Sequence, residues 1–276
     1  MGSTSYLGKD VQSDTRDTRF QYQGSDLIAV IDADLVAFIS AASAENENEG
    51  IARFRTNQFV EKILEETGAD GYELYLSGPN NFRYQVFPEY KIKRADTPKP
   101  KHFAACRQFL KEDWDAIEFK LDIEADDAMG IMQNENTICC SIDKDMDVIP
   151  GWHYSWAIWR LGKEVRPAKK YYVTPEKALY NFYHQLLIGD PSDGIKGAVG
   201  IGKAKAKGIL QGCKTHLEYI TACRPYFSCD EEMEMNAKVL WIWQKYPDSI
   251  IERWKEAGYQ TEVIESEGED RATDSA

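Results

Sequence analysis

Two short apolar runs, each followed by an aspartate, most strongly constrain the fold of this chain. Residues 27–31, LIAVI, precede Asp32, and residues 137–142, TICCSI, precede Asp143. A short run rich in β-branched residues is typical of a buried strand. The carboxyl ends of parallel strands meet at one edge of a sheet, where α/β proteins bind ligands. If these two strands are neighbours, their aspartates lie at the same edge.

The rest of the chain extends this pattern with alternating strands and helices. YELYLSG at 72–78 and YSWAIWR at 154–160 predict two further strands. Predicted helices cover DLVAFISAASAE, about 51–66 up to Gly68, 103–117 and 125–134, and after Thr174 the chain is predicted to be helical to about 257, with a glycine-rich break at 189–202. Alternation of this kind predicts an α/β fold with a mostly parallel sheet flanked by helices, followed by a helical C-terminal part.

Composition excludes several classes of protein. The 276 residues are 43% hydrophobic, which is enough for a substantial core. No apolar run approaches 18 residues, so no membrane span is expected. The polar N-terminus lacks the apolar segment of a secretory signal. None of the six cysteines forms a C-x-x-C pair, and a reducing cytoplasm is the simplest interpretation.

Charge is spread unevenly along the chain. The net charge of −13 argues by itself against a nucleic-acid partner. However, residues 91–111 hold seven Lys or Arg and one acid, and residues 194–217 hold five Lys and no acid. The segment 262–276 holds six acids and one Arg, which is typical of a disordered acidic tail. Two basic segments in an acidic chain therefore keep a polyanionic partner possible.

Carboxylates accumulate near the predicted strand ends and in two other segments. They belong to VIDADL, IEADDAMG, SIDKDMD and IGDPSDG, and the candidate metal ligands are Asp32, Glu124, Asp126, Asp127, Asp143, Asp145, Asp190 and Asp193. Each acid alone is better explained by a turn or a helix N-terminus than by a metal. Together they would need cations, and hard oxygen ligands select Mg²⁺ or Mn²⁺. Two such ions suit phosphodiester hydrolysis.

A regular helix would not bring all the acids of IEADDAMG together. On such a helix Glu124 and Asp127 share a face and Asp126 turns away. Convergence of all three would require an irregular first turn.

Two segments suit nucleic-acid binding. In GIKGAVGIGKAKAKGILQ, Gly200 and Gly202 precede a helix start whose N–H groups can hold a phosphate, and Lys196, Lys203, Lys205 and Lys207 can neutralise others. In FPEYKIKRADTPKPK, Tyr90 and the neighbouring Lys91, Lys93 and Arg94 suit base stacking and phosphate contact. The alternatives are a glycine turn with a solvated lysine face and a basic surface loop.

As an ordered set, VIDADL, PEYKIKR, IEADDAMG, SIDKDMDVIP and IGDPSDGIKGAVGIGKAKA resemble the flap endonuclease and 5′→3′ exonuclease family, most closely its bacteriophage members. The resemblance covers about residues 27–212. It implies a PIN-like α/β nuclease domain with a helix-three-turn-helix DNA-binding element. The implied units are a flexible tail at 1–26, the nuclease domain at 27–175, the helical DNA-binding region at 176–260 and a disordered acidic tail at 261–276.

The resemblance also implies chemistry and partners. It makes the eight acids named above the metal-site acids for two Mg²⁺ or Mn²⁺ ions, with Asp32 also catalytic. It assigns Lys91 and Arg94 to the scissile phosphate, and it implies K⁺ at the helix-three-turn-helix. Implied substrates are DNA with a free 5′ end, a flap or a junction, and an RNA primer in an RNA–DNA hybrid. The implied setting is phage-type replication in the cytoplasm, a host's if the chain is phage-encoded.

One departure from the family pattern concerns the strand YELYLSG. The family usually places another aspartate at its end, where this chain has Ser77 and Gly78. Asp34, two residues after Asp32, is a candidate to compensate. Two alternatives stay open beside a 5′-nuclease. One is a non-catalytic module that binds branched DNA, which the missing acid favours, and the other is a PIN-type ribonuclease.

Overall fold

The computed structural model describes residues 26–95, 97–119 and 123–260, without the side chains of Lys93 and Ala95. The predicted tails at 1–26 and 261–276 therefore lie almost entirely outside the described residues. Within these residues no helix is long and apolar enough to cross a membrane.

The strands form one central sheet and two small ribbons. In chain order they are β1 Ile28–Asp32, β2 Gly71–Leu76, β3 Ile117–Glu118, β4 Thr137–Cys140, β5 Gly151–Ser155, β6 Ile158–Arg160, β7 Lys163–Arg166, β8 Lys169–Val173, β9 Gly189–Asp190 and β10 Ile195–Lys196. The central sheet has the order β3-β2-β1-β4-β5-β8, and all its pairs are parallel except β5 with β8. The predicted mostly parallel sheet is confirmed.

Helices connect and flank the strands. They are α1 Ala33–Ser43, α2 Glu49–Thr67, α3 Arg83–Val86, α4 Ile92–Ala95, α5 Phe103–Asp113, α6 Ala125–Met132, α7 Pro175–Ile188, α8 Lys203–Ile209, α9 His216–Cys223, α10 Asp230–Leu240 and α11 Ile250–Glu256. Two 3₁₀ turns occupy Lys144–Val148 and Arg224–Tyr226.

Local signals explain several of these helix boundaries. The Asp32 carboxylate accepts a hydrogen bond from the Leu35 N–H and so caps α1. Helix α2 begins at the Asn48 cap and ends at Gly68, whose φ of 68° is the left-handed conformation that glycine adopts without strain. Thr174 caps α7, and a proline occupies its first turn.

The sheet separates two layers of core. Alternate residues of β1 point to opposite faces, so Ala29 and Ile31 pack with α1, α2 and α5, whereas Val30 packs with α6 and the C-terminal helices. Helices on both faces explain why β1 and β4 read as apolar runs without alternation. The C-terminal helices share a core with the sheet, and the predicted boundary at 175/176 lies within this packed unit.

The predictions for the region after β4 were partly wrong. The single strand predicted at 154–160 is two strands, β5 and β6, and β6 pairs with β7 in a separate hairpin. The chain then returns to the sheet as β8, which was not predicted. Strand β8 lies at the edge of the sheet, and its exposed lysines hide the apolar pattern on which strand prediction depends.

Candidate metal and nucleic-acid site

The carboxyl ends of β1 and β4 place the first group of acids. Because β1 pairs with β4, Asp32 and the segment after Cys140 are neighbours. The Ser141 hydroxyl donates to Asp32 Oδ2 at 3.0 Å and accepts from the Asp143 N–H at 3.1 Å. Asp143 Oδ1 in turn accepts the Asp145 N–H at 3.0 Å. The sequence-based expectation that the acids of these two strands meet is confirmed.

Burial and the charges of neighbouring acids raise the pKa values of Asp32, Asp126 and Asp145. The pKa of Asp32 rises to about 6, chiefly because the group is buried, with a further contribution from Asp143. The pKa of Asp126 is well above its usual value because of burial and the charges of Asp32, Asp143 and Glu124. Burial and Asp143 likewise raise the pKa of Asp145 to about 6. Four acids, Asp32, Asp126, Asp143 and Asp145, form what we call the uncompensated cluster, because their one ion pair among the described residues joins Asp145 to Lys144, whose side chain is 75% exposed.

A second group of acids is paired with cations. Lys91 Nζ lies 2.6 Å from Glu124 Oε1 and 4.0 Å from Asp193 Oδ2. Arg94 pairs with Asp193 and donates to the Ser192 hydroxyl at 3.2 Å. Although burial alone would raise it, the pKa of Glu124 is lowered because Arg83 and Lys91 stabilise its charge.

Lys91 is held by its backbone as well as by its side chain. Its φ is 54°, a left-handed conformation that is uncommon for a residue with a side chain. Its N–H donates to the Asp193 carbonyl at 2.9 Å. This bond ties the basic segment to the turn after β9, so that Lys91 stands beside Glu124 and Asp193. Unusual backbone conformations of this kind cluster at functional sites.

The turn after β9 brings Asp190 to the edge of the site. Asp190 Oδ1 accepts both the N–H and the hydroxyl of Ser192, at 2.8 and 2.6 Å. Burial raises the pKa of Asp190, but these bonds and Lys144 outweigh it and the pKa is lowered. Lys144 Nζ lies 3.1 Å from Asp145 and 3.8 Å from Asp190. Asp190 therefore borders the uncompensated cluster at Asp145.

Asp127 has a cation partner of its own, Arg83. Its two oxygens accept bonds of 2.6 and 2.8 Å from Arg83, and they also accept the N–H groups of Glu124 and Trp243. Its side chain is fully buried. With both oxygens occupied in this way, the geometry favours a structural role for Asp127 over the predicted metal role.

The helical-face expectation for these acids agrees with their contacts. Glu124 and Asp127 share a side, where Arg83 Nη1 lies 3.4 Å from Glu124 Oε2 and 2.6 Å from Asp127 Oδ2. Asp126 faces Asp32 and Asp143 instead. Asp127 therefore does not join Asp126 at the site.

Tyr90 and Asp34 have other surroundings than the sequence suggested. Tyr90 is 4% exposed and its hydroxyl donates to Glu124 at 2.9 Å, so its ring belongs to the core and is not available for base stacking. Asp34 does not join the acids. Its carboxylate accepts the Ser77 N–H at 2.8 Å and pairs with Arg107.

The glycine–lysine segment presents an exposed basic surface. Gly200 has a φ of 72°, and Gly202 is the N-cap of α8. Lys203, Lys205 and Lys207 are exposed on α8, and Lys196 is exposed on β10. Within the described residues this arrangement suits phosphate contacts as predicted. The side chain of Lys93 lies outside the described residues.

Sequence reasoning missed Arg83, Ser141 and Arg107. Arg83 is 2% exposed, and besides Asp127 it contacts Glu124 and two backbone carbonyls of the C-terminal region. Its partners lie far away in sequence, so no local spacing marks it. The position of Ser141, directly after β4 and two residues before Asp143, is the one signal that could have identified a site residue.

The chemistry of the donor set fits a divalent metal. Across the residues that the structure describes, no three or more His, Cys, Asp and Glu side chains form a ready-made metal-binding group. However, the uncompensated cluster offers only hard oxygen donors, which Mg²⁺ and Mn²⁺ prefer. The raised pKa values of Asp32, Asp126 and Asp145 reflect burial and the charges of neighbouring acids, and a cation would offset both. The residues present therefore fit such an ion.

Comparison with known proteins identifies two DNA polymerases among the sequence relatives. No protein-family model matches the chain. Thermostable DNA polymerase I of Thermus caldophilus is 26% identical over 170 residues, which are 55% of this chain and 20% of the polymerase. DNA polymerase I of Bacillus caldotenax is 27% identical over 206 residues, 67% of this chain and 23% of the polymerase. The chain thus spans less than a quarter of the length of these relatives.

Solved structures of two 5′-nucleases share the fold of this chain. The bacteriophage T5 5′-exonuclease with bound zinc has a TM-score of 0.54 and 18% identity, covering 78% of this chain and 85% of that one. The bacteriophage T5 flap endonuclease in a complex with DNA and metal ions has a TM-score of 0.55 and 16% identity, covering 78% and 86%. The chain therefore has the fold of these 5′-nucleases, and the resemblance to the flap endonuclease and 5′→3′ exonuclease family is confirmed at the level of the fold.

Proposed function

We propose that the chain is a metal-dependent 5′-nuclease that hydrolyses DNA phosphodiesters from a free 5′ end, as an exonuclease, a flap endonuclease or both. One observation carries the proposal: the uncompensated cluster lies beside Lys91 at the carboxyl edge of the sheet, and Arg94 is linked to Lys91 through Asp193. Like charges crowded at buried and partly buried positions destabilise a fold, so their presence next to a cation favours a catalytic site over a binding module. The fold similarity and the basic surface on α8 support DNA as the substrate.

The proposed metal-holding residues are the four acids of the uncompensated cluster, with Glu124, Asp190 and Asp193 around them. Divalent cations bound there would supply charge neutralisation and an activated water. We choose Mg²⁺ or Mn²⁺ because the ligands are carboxylates. The K⁺ ion at the glycine–lysine segment stays a prediction from the family resemblance.

Lys91 and Arg94 are placed to bind the scissile phosphate. The Lys91 ammonium has three donors, and its contact with Glu124 leaves others for a phosphate oxygen. Arg94 is 49% exposed at its side chain and can rotate a face of its guanidinium toward solvent. Preorganised cations of this kind stabilise negative charge that develops in the transition state. The lysines of α8 would hold the duplex by its backbone, without sequence preference.

The test uses 5′-labelled duplex and flap DNA with Mg²⁺ or with EDTA. We expect cleavage only with the metal: mononucleotides indicate exonuclease action, and short oligonucleotides indicate flap cutting. Parallel RNA and RNA–DNA hybrid substrates separate a ribonuclease from a deoxyribonuclease. DNA binding without any cleavage would contradict the proposal and support a non-catalytic module.

Asp143→Asn tests the site itself. We expect cleavage to fall by more than about 100-fold, since even indirect support of a metal ligand contributes about 10–100-fold. DNA binding in EDTA should change little. Asp147→Asn is a matched control, because Asp147 lies in the same 3₁₀ turn and its carboxylate accepts the Tyr171 hydroxyl at 2.7 Å. Wild-type cleavage by Asp143→Asn would show that the site is wrongly assigned.

A further inference from the structure

The end of β2 contacts the start of α6 through Ser77. The Ser77 hydroxyl accepts the Ala125 N–H at 3.1 Å. Ala125 is the first residue of α6 and lies between Glu124 and Asp126. The first N–H groups of a helix have no partner within the helix, so an outside acceptor fixes where the helix begins. Ser77 therefore fixes the turn that carries two of the candidate metal ligands.

Ser77 is itself held from both sides by charged groups. Its N–H donates to Asp34 Oδ2 at 2.8 Å, and its carbonyl accepts Arg107 Nη2 at 2.8 Å. Asp34 and Arg107 also pair with each other. The same Arg107 nitrogen reaches Glu118 Oε1 at 2.8 Å. The Arg107 side chain is 16% exposed, so these contacts are largely shielded from water.

The next position along the chain cannot replace Ser77. A Cβ atom at Gly78 would lie 2.0 Å from the Phe119 carbonyl oxygen, where backbone leaves no space for a side chain. Any group that reaches α6 from this turn must therefore come from position 77 rather than 78. In this chain position 77 carries a hydroxyl, and that hydroxyl accepts the Ala125 N–H of α6.

We propose that Asp34, Ser77 and Arg107 form a positioning device that fixes the first turn of α6 and so orients Asp126 and Glu124 for divalent-cation binding. The inference rests on the proposed function, since it assigns these residues to the same metal site. Ser77 and Arg107 are positioning residues: they act through the backbone of α6. Residues that orient metal ligands from outside typically contribute about 10–100-fold in metal affinity.

A purely structural role predicts a different result. If these bonds only stabilise the fold, removing them lowers the free energy of unfolding and leaves the metal affinity of the folded protein unchanged. Metal affinity of the folded chain, measured without DNA, therefore separates the two roles. Mn²⁺ is a suitable probe because its free form is counted directly by electron paramagnetic resonance.

The experiment titrates Mn²⁺ into wild type, Ser77→Ala, Ser77→Thr, Arg107→Gln and Lys111→Gln. We expect Ser77→Ala and Arg107→Gln to raise the dissociation constant about 10-fold. Ser77→Thr keeps the hydroxyl and should bind like wild type. Lys111→Gln is the matched control, because Lys111 lies on the same helix as Arg107 and contacts Glu118 at 3.2 Å without reaching Ser77.

Urea unfolding of each variant confirms that the titrated protein is folded. If Ser77→Ala does not fold, Arg107→Gln decides, since it leaves the Ser77 hydroxyl in place. Wild-type Mn²⁺ affinity in the folded variants would overturn the inference and leave the proposed function intact. A wild-type chain that binds no Mn²⁺ at all would instead contradict both, and cleavage assays with Mg²⁺ would then show no metal dependence.

Discussion

Asp126 and Asp127 are adjacent residues in the first turn of α6, yet their charges meet opposite surroundings. Asp127 is fully buried and lies between two guanidinium nitrogens of Arg83, at 2.6 and 2.8 Å. Asp126 faces Asp32, Asp143 and Glu124, and burial together with these charges raises its pKa. The charge of Asp127 is balanced by Arg83, whereas the charge of Asp126 lies among other acids and would be balanced by a bound cation.

The difference separates a structural acid from a functional one. A buried carboxylate with a bidentate partner and two backbone donors has all its hydrogen-bonding capacity occupied. A carboxylate among other carboxylates has an unfavourable charge that the fold alone does not relieve. Such groups are typical of sites where a ligand supplies the missing charge. Residue type alone would not distinguish the two; the identity of the neighbours does.

The largest effect is expected from Asp127→Asn. The change leaves the Arg83 charge buried without its main partner, and removing one member of a buried pair costs about 3–5 kcal/mol of stability. Because Arg83 keeps Glu124 at 3.4 Å and two carbonyl acceptors, we expect the lower end of that range. Urea unfolding measures the loss. A loss below about 1 kcal/mol would mean that the pair matters little for stability.

Asp126→Asn should change the free energy of unfolding of the metal-free protein in the opposite direction, toward greater stability. Removing one charge from the uncompensated cluster relieves repulsion, and two like charges about 4 Å apart cost about 1 kcal/mol even in water. We therefore expect the free energy of unfolding in EDTA to rise by about 1 kcal/mol. In excess Mg²⁺ the wild type should be more stable than Asp126→Asn, because a ligand stabilises most the protein that binds it best.

The control for this prediction is the Asp127 variant in the same two buffers. Mg²⁺ should not restore the stability of Asp127→Asn to the wild-type level in Mg²⁺, since that loss arises from Arg83. If Asp126→Asn destabilises the metal-free protein as much as Asp127→Asn does, the distinction between the two acids is wrong.

Sequence patterns were sufficient to predict the central strands of the sheet and the meeting of the acids that follow β1 and β4. Strands β1 and β4 are short apolar runs followed by Asp32 and Asp143, and their pairing brings these acids together as expected. The pattern works here because helices cover both faces of the sheet, so the strands must be apolar throughout. It failed for β8, which lies at the edge and exposes Lys169 and Lys170.

Sequence patterns could not show that Arg83 pairs with Asp127 rather than with Asp126. The distinction depends on Arg83, which precedes Asp127 by 44 residues, and on the N-cap geometry of Glu124. Long-range pairing leaves no trace in local spacing. The contacts of Asp34 were hidden for the same reason. Its place two residues after Asp32 suggested a metal ligand, but its partners are Ser77, directly after β2, and Arg107 in α5.

The smallest effect on stability is expected from Arg94→Gln. This change tests whether burial determines how much an ion pair contributes to the free energy of unfolding. Arg94 pairs with Asp193 much as Arg83 pairs with Asp127, but its side chain is 49% exposed against 3% for Arg83. Exposed ion pairs contribute about 0–1 kcal/mol because water screens them. We expect urea unfolding to detect a change within that range. A loss as large as that of Asp127→Asn would show that pairing itself, and not burial, determines the contribution of these acids to stability.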